Sequence, residues 1–249
     1  MNPYLDRLID LALDEDLGSA GDVTTSALVP VGALGKAELW AKEPMVLSGL
    51  GAFMRTFEKV DPSVKVKLTA KDGDKTSKRQ LVAKLDGPLQ SLLIGERTAL
   101  NIVQRCAGMA TAASDAMALI EGVKGSKLKI LDTRKTPPGM RGLAKQAVKD
   151  GGAFNHRFGL FDGVLIKDNH IAAVGGSIAH GAHIVLLDNM DDAKVKAAVE
   201  IAQGKVELEV SGGVTAERLP RLAKLGVDYV SMGALTHSAR AMDLSLEIL

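Results

Sequence analysis

Residues 205–238 read KVELEVSGGVTAERLPRLAKLGVDYVSMGALTHS. Two short apolar runs, 206–210 and 229–231, end in SGG and GALTHS, and a helical stretch separates them. Near-continuous apolar strands followed by helices belong to a parallel sheet covered on both faces, because strands of a half-solvated sheet alternate apolar and polar residues instead. The same texture begins beyond Lys127, with runs at 128–131, 164–166 and 184–187 that close on DTRKT, KDNH and DN. Such a succession predicts an α/β domain with a parallel sheet or, as the first choice, a barrel. Sites in these folds are built at the carboxyl ends of the strands, so the polar clusters are expected on one rim.

The first hundred residues read differently. Leu5, Leu8, Ile9, Ala12 and Leu13 recur at helical spacing and predict a short amphipathic helix ending near Gly18. GDVTTSALVP, at 21–30, reads as a loop. Strands are expected at 36–41, 64–69 and 80–85, with a helix at 51–59 and a turn at Asp72-Gly73-Asp74. Residues 94–119 are helical again, with Leu100, Val103, Gln104 and Ala107 along one face. The change of texture is the main hint of two domains.

Composition narrows the function. With 46% hydrophobic and 24% charged residues among 249, the chain has enough apolar material for a sizeable core. A net charge of +1 and an aromatic content of 3% give no basic face and no stacking platform, so no nucleic acid or membrane partner is expected. The single cysteine, Cys106, rules out an internal disulfide and a multi-cysteine zinc site and reads as a small buried hydrophobe. The first residues carry no basic segment followed by an apolar one, which makes cytoplasm the default expectation.

Cations crowd one stretch: Arg134, Lys135, Arg141, His156, Arg157, Lys167 and His170. Arg grips carboxylate or phosphate with two parallel bonds and Lys adds a compact charge, so the mixture suits a small ligand carrying several such anions. The competing reading is a solvated helix face, strongest for Arg141 at the expected start of a helix. Acids on the expected rim are Asp132, Asp162, Asp168 and Asp188. A carboxylate after a strand can hold ribose hydroxyls or share magnesium with phosphates. Asp188 is the best candidate, its alternative being the N-cap of a helix beginning near Asp191. The Ser211-Gly212-Gly213 and Gly233-Ala234-Leu235 turns admit an anion close to the backbone. Either turn alone reads as a tight turn, whereas together, at the last two strand ends, they point to phosphate. His180 and His183 are spaced as HxxH, but no third ligand lies near in sequence and a metal site is not expected there.

Taken in order, EDLGSAGDVTT, GERTALN, DTRKTPPGMR, NHRFGLFDGVLIKDNH, LLDNM, EVSGG and GVDYVSMGALTHS span nearly the whole chain. This series resembles the quinolinate phosphoribosyltransferase family, also called carboxylating nicotinate-nucleotide pyrophosphorylases. The resemblance implies transfer of phosphoribosyl from phosphoribosyl pyrophosphate to the ring nitrogen of quinolinate, with release of pyrophosphate and carbon dioxide, giving nicotinate mononucleotide for de novo NAD synthesis. It implies that Arg134, His156 and Arg157 hold the quinolinate carboxylates, with Arg97 reaching in from the partner subunit of a homodimer. Lys135, Lys167 and His170 are then expected on the phosphoribosyl donor or its pyrophosphate. Asp188 would meet the ribose and magnesium, and Ser211, Gly212, Gly233 and Ala234 the 5′-phosphate. The implied fold is an amino-terminal α/β sandwich over 1–105, rejoined by the tail 240–249, and an incomplete α/β barrel over 106–239.

One departure stands out. The family carries a helix–strand–helix segment between KDNH and LLDN, and its strand bears an acid for the ribose and magnesium. Here only the fourteen residues 169–182 join the two expected strands, a shortening of about one βα unit, ~30 residues. That acid has no counterpart unless Asp188 serves alone or Glu207 or Glu209 turns inward. Three readings follow: the active quinolinate enzyme, a related phosphoribosyltransferase with another aromatic acid, and a catalytically silent member that binds the anionic ligand.

Overall fold

The computed structural model describes residues 3–163 and 183–249. The chain opens on helix α1 (Pro3–Leu17), which buries Ile9 against later helices. Where the sequence reads as a loop, a short helix forms instead, α2 (Val23–Leu28). Its Val-Thr-Thr-Ser start is a poor helix former, but Asp22 is the N-cap and accepts the Thr25 backbone N–H at 2.8 Å, supplying what propensity lacks.

Next come β1 (Leu34–Ala41), β2 (Met45–Val46), α3 (Leu50–Val60), β3 (Lys65–Leu68), β4 (Lys75–Thr76) and β5 (Gln80–Pro88). The expected strands and helix of this half are therefore present, together with a two-stranded ladder of β2 and β4 too short to have a sequence signal. The main sheet is antiparallel, in the order β10-β1-β5-β3, where β10 (Leu244–Ile248) returns from the end of the chain to pair with β1. Ala37, Leu39 and Ala41 alternate along β1 and pack with Val82 and Leu85 of β5 and with Phe53 and Phe57 of α3.

The thirty-residue helix α4 (Leu89–Ala118), about 45 Å long at helical rise, runs through both halves. Leu92, Leu100 and Val103 belong to the core of the antiparallel sheet, whereas Ala113 and Ala116 belong to the core of the sheet that follows. Cys106, midway, is fully buried, and burial pushes its thiol up to about 12, in keeping with a packing role.

Beyond α4 lie β6 (Lys129–Leu131), α5 (Arg141–Asp150), β7 (Ile184–Asp188), α6 (Asp192–Ala202), β8 (Glu207–Ser211), α7 (Leu219–Leu225), β9 (Tyr229–Ser231) and α8 (Ala234–His237). The four strands are parallel, in the order β6-β9-β8-β7. Phe154 adds a parallel bridge to Leu131 on the far side of β6, a neighbour that the sequence does not announce. The fold is α/β. Among the described residues the sheet is an open row and does not close on itself. The expected strand at 164–166 and the sequence-singled residues Lys167, Asp168, His170 and His180 lie outside the described residues. No described helix is long and apolar enough to cross a membrane.

Candidate active site at the carboxyl edge of the parallel sheet

Parallel pairing lines up the strand ends. Leu131 is level with Ser231, Val210 with Val230, and Asp188 with Ser211. DTRKT, DN, SGG and GALTHS thus leave the sheet along one edge, as the sequence reading expects. Side-chain alternation then divides the residues between two faces. Ile130, Val230, Leu208, Val210 and Leu187 face the helices and form the core. Leu131, Ser231, Glu209 and Asp188 fall on the opposite face.

Asp132 follows the first set. It is wholly buried under α5, where its Oδ1 accepts from Lys145 Nζ at 2.6 Å and from the His156 backbone N–H at 2.8 Å. Burial pushes its carboxyl up, more than Lys145 and the His156 N–H pull it down. Asp132 is therefore no rim acid: standing two residues after Ile130, it points into the layer between strand and helix. Asp162 is likewise used locally, accepting the backbone N–H groups of Gly159 and Phe158, which hold its carboxyl below the usual range.

The segment that carries Arg134 and the segment that carries His156 and Arg157 are joined through this node and through Arg141. His156 Nδ1 accepts the Arg157 N–H at 2.7 Å, and its Nε2 lies 3.4 Å from Glu209 Oε2. Glu209, 3% exposed, accepts the Ser231 hydroxyl at 2.6 Å. Arg157 reaches the Gly163 carbonyl at 2.8 Å. The half-buried Arg134 has a buried Nε without a hydrogen-bond partner among the described residues. Arg141 opens α5 and makes long contacts to Thr136 Oγ1 and to the carbonyls of Phe158 and Arg134, so it ties these two loops together and is not a free surface charge.

Along the same edge lie the glycine turns. Gly212 has φ +87°, and a side chain there would come within 2.2 Å of Asn189 Oδ1, so only glycine lets this turn approach the loop after Asp188. The Asn189 N–H donates to the Ser211 carbonyl at 2.9 Å and ties the two turns together. Asp191, not Asp188, caps α6 through the Lys194 N–H, which removes the capping explanation for Asp188. Gly233 precedes α8, with Ala234 as its first residue. A side chain at Gly233 would stand 3.1 Å from Lys135 Cδ and 3.0 Å from His237 Nε2, so Lys135 and His237 border one turn. Thr236 Oγ1 donates to the Lys135 carbonyl at 2.8 Å and fixes that loop.

Arg97 stands apart from this cluster, exposed on α4 two residues from Gly95, which packs against Phe57. Of the two glutamates considered for the missing acid, Glu209 faces inward, whereas Glu207 is exposed and accepts from the Tyr229 hydroxyl. Among the described residues no three of His, Cys, Asp and Glu gather as a metal site. A lone carboxylate at Asp188, supplemented by substrate phosphates, is still a donor set that suits magnesium. Sequence reasoning missed Lys145, Asn155, Asn189 and His237. Each sits inside a motif already quoted or one turn along α5, and only the meeting of separate segments gives it a role.

Comparison with known proteins places this site in context. The family model described as quinolinate phosphoribosyl transferase, N-terminal domain, matches residues 22–107. The corresponding C-terminal domain model matches in two pieces, 109–179 and 177–247, which meet within the short link at 169–182. A probable nicotinate-nucleotide pyrophosphorylase [carboxylating] of Bacillus subtilis is 36% identical, covering 98% of this chain and 93% of its own. The chloroplastic nicotinate-nucleotide pyrophosphorylase [carboxylating] of Arabidopsis thaliana is 37% identical over 98% of this chain and 82% of its own. Among solved structures, the nicotinate-nucleotide pyrophosphorylase from Francisella tularensis superposes with a TM-score of 0.91 at 34% identity, covering 100% of this chain and 97% of that one.

Proposed function

Because this chain belongs to the quinolinate phosphoribosyltransferase family, we propose that it transfers phosphoribosyl from phosphoribosyl pyrophosphate to quinolinate, with decarboxylation, giving nicotinate mononucleotide, pyrophosphate and carbon dioxide in de novo NAD synthesis. The observation that carries this reading is the joining of the segments that carry Arg134 and His156–Arg157 on one edge of a sheet whose neighbouring strand ends carry Asp188 and the glycine turns.

In this reading Arg134, His156 and Arg157 hold the two carboxylates of quinolinate, and the Nε of Arg134, without a partner among the described residues, supports that role. The Ser211-Gly212 turn and Gly233-Ala234 hold the 5′-phosphate through backbone N–H groups. Lys135, beside Gly233, holds the pyrophosphate together with Lys167 and His170. Asp188 faces the ribose and would hold magnesium, which when bound with the donor neutralises charge on the pyrophosphate. Departure of pyrophosphate leaves positive charge on the ribose, and loss of carbon dioxide leaves negative charge on the pyridine ring. Fixed cations therefore serve the leaving group and the ring, while Asp188 serves the ribosyl cation. No side-chain nucleophile is required.

The architecture that goes with this chemistry is an amino-terminal α/β sandwich, 1–105 with the tail 240–249, and an incomplete barrel over 106–239 of which the parallel sheet is one part. The protein acts as a cytoplasmic homodimer, with exposed Arg97 completing the site of the other subunit. A second reading, a member that binds quinolinate without turnover, draws on the short link at 169–182.

The test is production of nicotinate mononucleotide from quinolinate, phosphoribosyl pyrophosphate and magnesium, with Arg134→Ala as control. Turnover that the substitution abolishes is the expected result. A folded protein that binds quinolinate without forming product would establish the second reading, and preference for another aromatic acid would identify a different transferase.

A further inference from the structure

Beneath the clamp lies a buried polar node that the chemistry above does not use. Lys145, on α5, is 3% exposed and Asp132 is 0% exposed, so neither touches a ligand in the cleft. Lys145 Nζ donates to Asp132 Oδ1 at 2.6 Å and to the His156 carbonyl at 2.8 Å, while the His156 N–H donates to the same Asp132 oxygen at 2.8 Å. With its amide turned so that nitrogen faces the two acceptors, Asn155 donates to Asp132 Oδ2 and to the Lys145 carbonyl, each at 3.0 Å. The backbone of His156 is thus gripped at both its N–H and its C=O by one charged pair. That pair joins the end of β6, two residues before Arg134, to α5 and to the 155–157 segment.

We infer that Lys145 is a positioning residue of the carboxylate clamp: through Asp132 and the His156 carbonyl it sets the distance between Arg134 on one loop and His156 and Arg157 on the other. The assignment rests on the reading that these three residues hold quinolinate. Stability alone does not account for the node, because a buried ion pair generally gains little over well-packed apolar residues of the same volume. Geometry does account for it. Two rigid carboxylates on one ring demand fixed spacing between their partners, and a displacement of about 1 Å in such a clamp can cost on the order of a hundredfold in rate.

The decisive protein is the double variant Asp132→Asn/Lys145→Met, which keeps side-chain volume, removes both charges and leaves no lone buried ion. Its thermal midpoint is expected within a few degrees of wild type, with the quinolinate KM raised about tenfold or more and the phosphoribosyl pyrophosphate KM within about twofold. A quinolinate KM unchanged in a protein whose wild type is active would overturn the assignment and leave the proposed function standing. A wild type that neither binds nor converts quinolinate would overturn the proposed function and, with it, the clamp that Lys145 serves. A measurement on the wild type needs no variant to fold: the His156 amide proton, held against Asp132, is expected to exchange slowly with solvent, and fast exchange would also overturn the assignment.

Discussion

His156 Nε2 stands 3.4 Å from Glu209 Oε2, on the face of the parallel sheet opposite Leu208 and Val210. Because Nδ1 of the same ring already accepts the Arg157 N–H, Nε2 is the ring nitrogen left to donate, and Glu209 and a substrate carboxylate can share its hydrogen. The Ser231 hydroxyl holds the other carboxylate oxygen at 2.6 Å. Glu209 thereby restricts the orientation of a ring expected to meet a substrate carboxylate. In a double-mutant cycle of Glu209→Gln and His156→Ala, kcat/KM for quinolinate is expected to show a coupling of about 1 kcal/mol. Strict additivity would make the contact incidental.

Gly212 is expected to tolerate no side chain. Alanine there meets Asn189 Oδ1 at 2.2 Å and is strained by the positive φ of 87°. Gly212→Ala should raise the KM for phosphoribosyl pyrophosphate by about tenfold or more while costing roughly 1–3 kcal/mol of stability. Steady-state kinetics with quinolinate held saturating, beside urea unfolding, separates the two effects. An unchanged donor KM would remove this turn from the phosphate site.

A second glycine matters for packing. On α4, a Cβ at Gly108 would lie 1.8 Å from the Arg240 carbonyl oxygen, and this obstacle is backbone. Gly108→Ala must push the returning tail away from α4, at a cost of about 3 kcal/mol or more despite the better helix propensity of alanine. A thermal midpoint equal to or above that of wild type would contradict the close approach of α4 and tail.

The tail is also held by charge. Arg240 Nη1 and Nη2 donate to the two oxygens of Glu43 at 2.7 and 2.6 Å, and the Asp243 N–H adds a third bond, which together bring the Glu43 carboxyl down to about 2. A carboxyl lowered by folding stabilises the native state fully above its ordinary value of 4.5, and that contribution is lost as pH falls toward about 2. Since Arg240 is largely exposed, solvent screening limits it to about 1 kcal/mol. Glu43→Gln should therefore lose this amount at pH 7 and show a correspondingly flatter stability curve between pH 4.5 and 2 by urea unfolding. Curves that stay parallel over that window would place the acid sensitivity elsewhere.

What could be read from the residues and what could not divide along a physical line. Periodicity and strand-end chemistry are local. The apolar runs at 128–131, 184–187, 206–210 and 229–231 and the polar clusters behind them announced a parallel α/β sheet with a site at one edge, and the ordered motifs announced the family. Local propensity failed at 21–30, where the Asp22 side chain caps a helix that its own residues disfavour. Spatial relations between distant segments had no local signal. The sequence offered Asp132 as a rim acid, and only the pleat of β6 beneath α5 turned it inward to Lys145 and the His156 backbone. The sequence left Glu207 and Glu209 equivalent; two residues apart on β8 they share a face, and position along the strand leaves Glu207 exposed at its amino end and Glu209 buried beside His156. Residue types and spacing along the chain determine which groups are available; which of them meet is decided by sheet pairing and by the burial of charges, which must find partners once water is excluded.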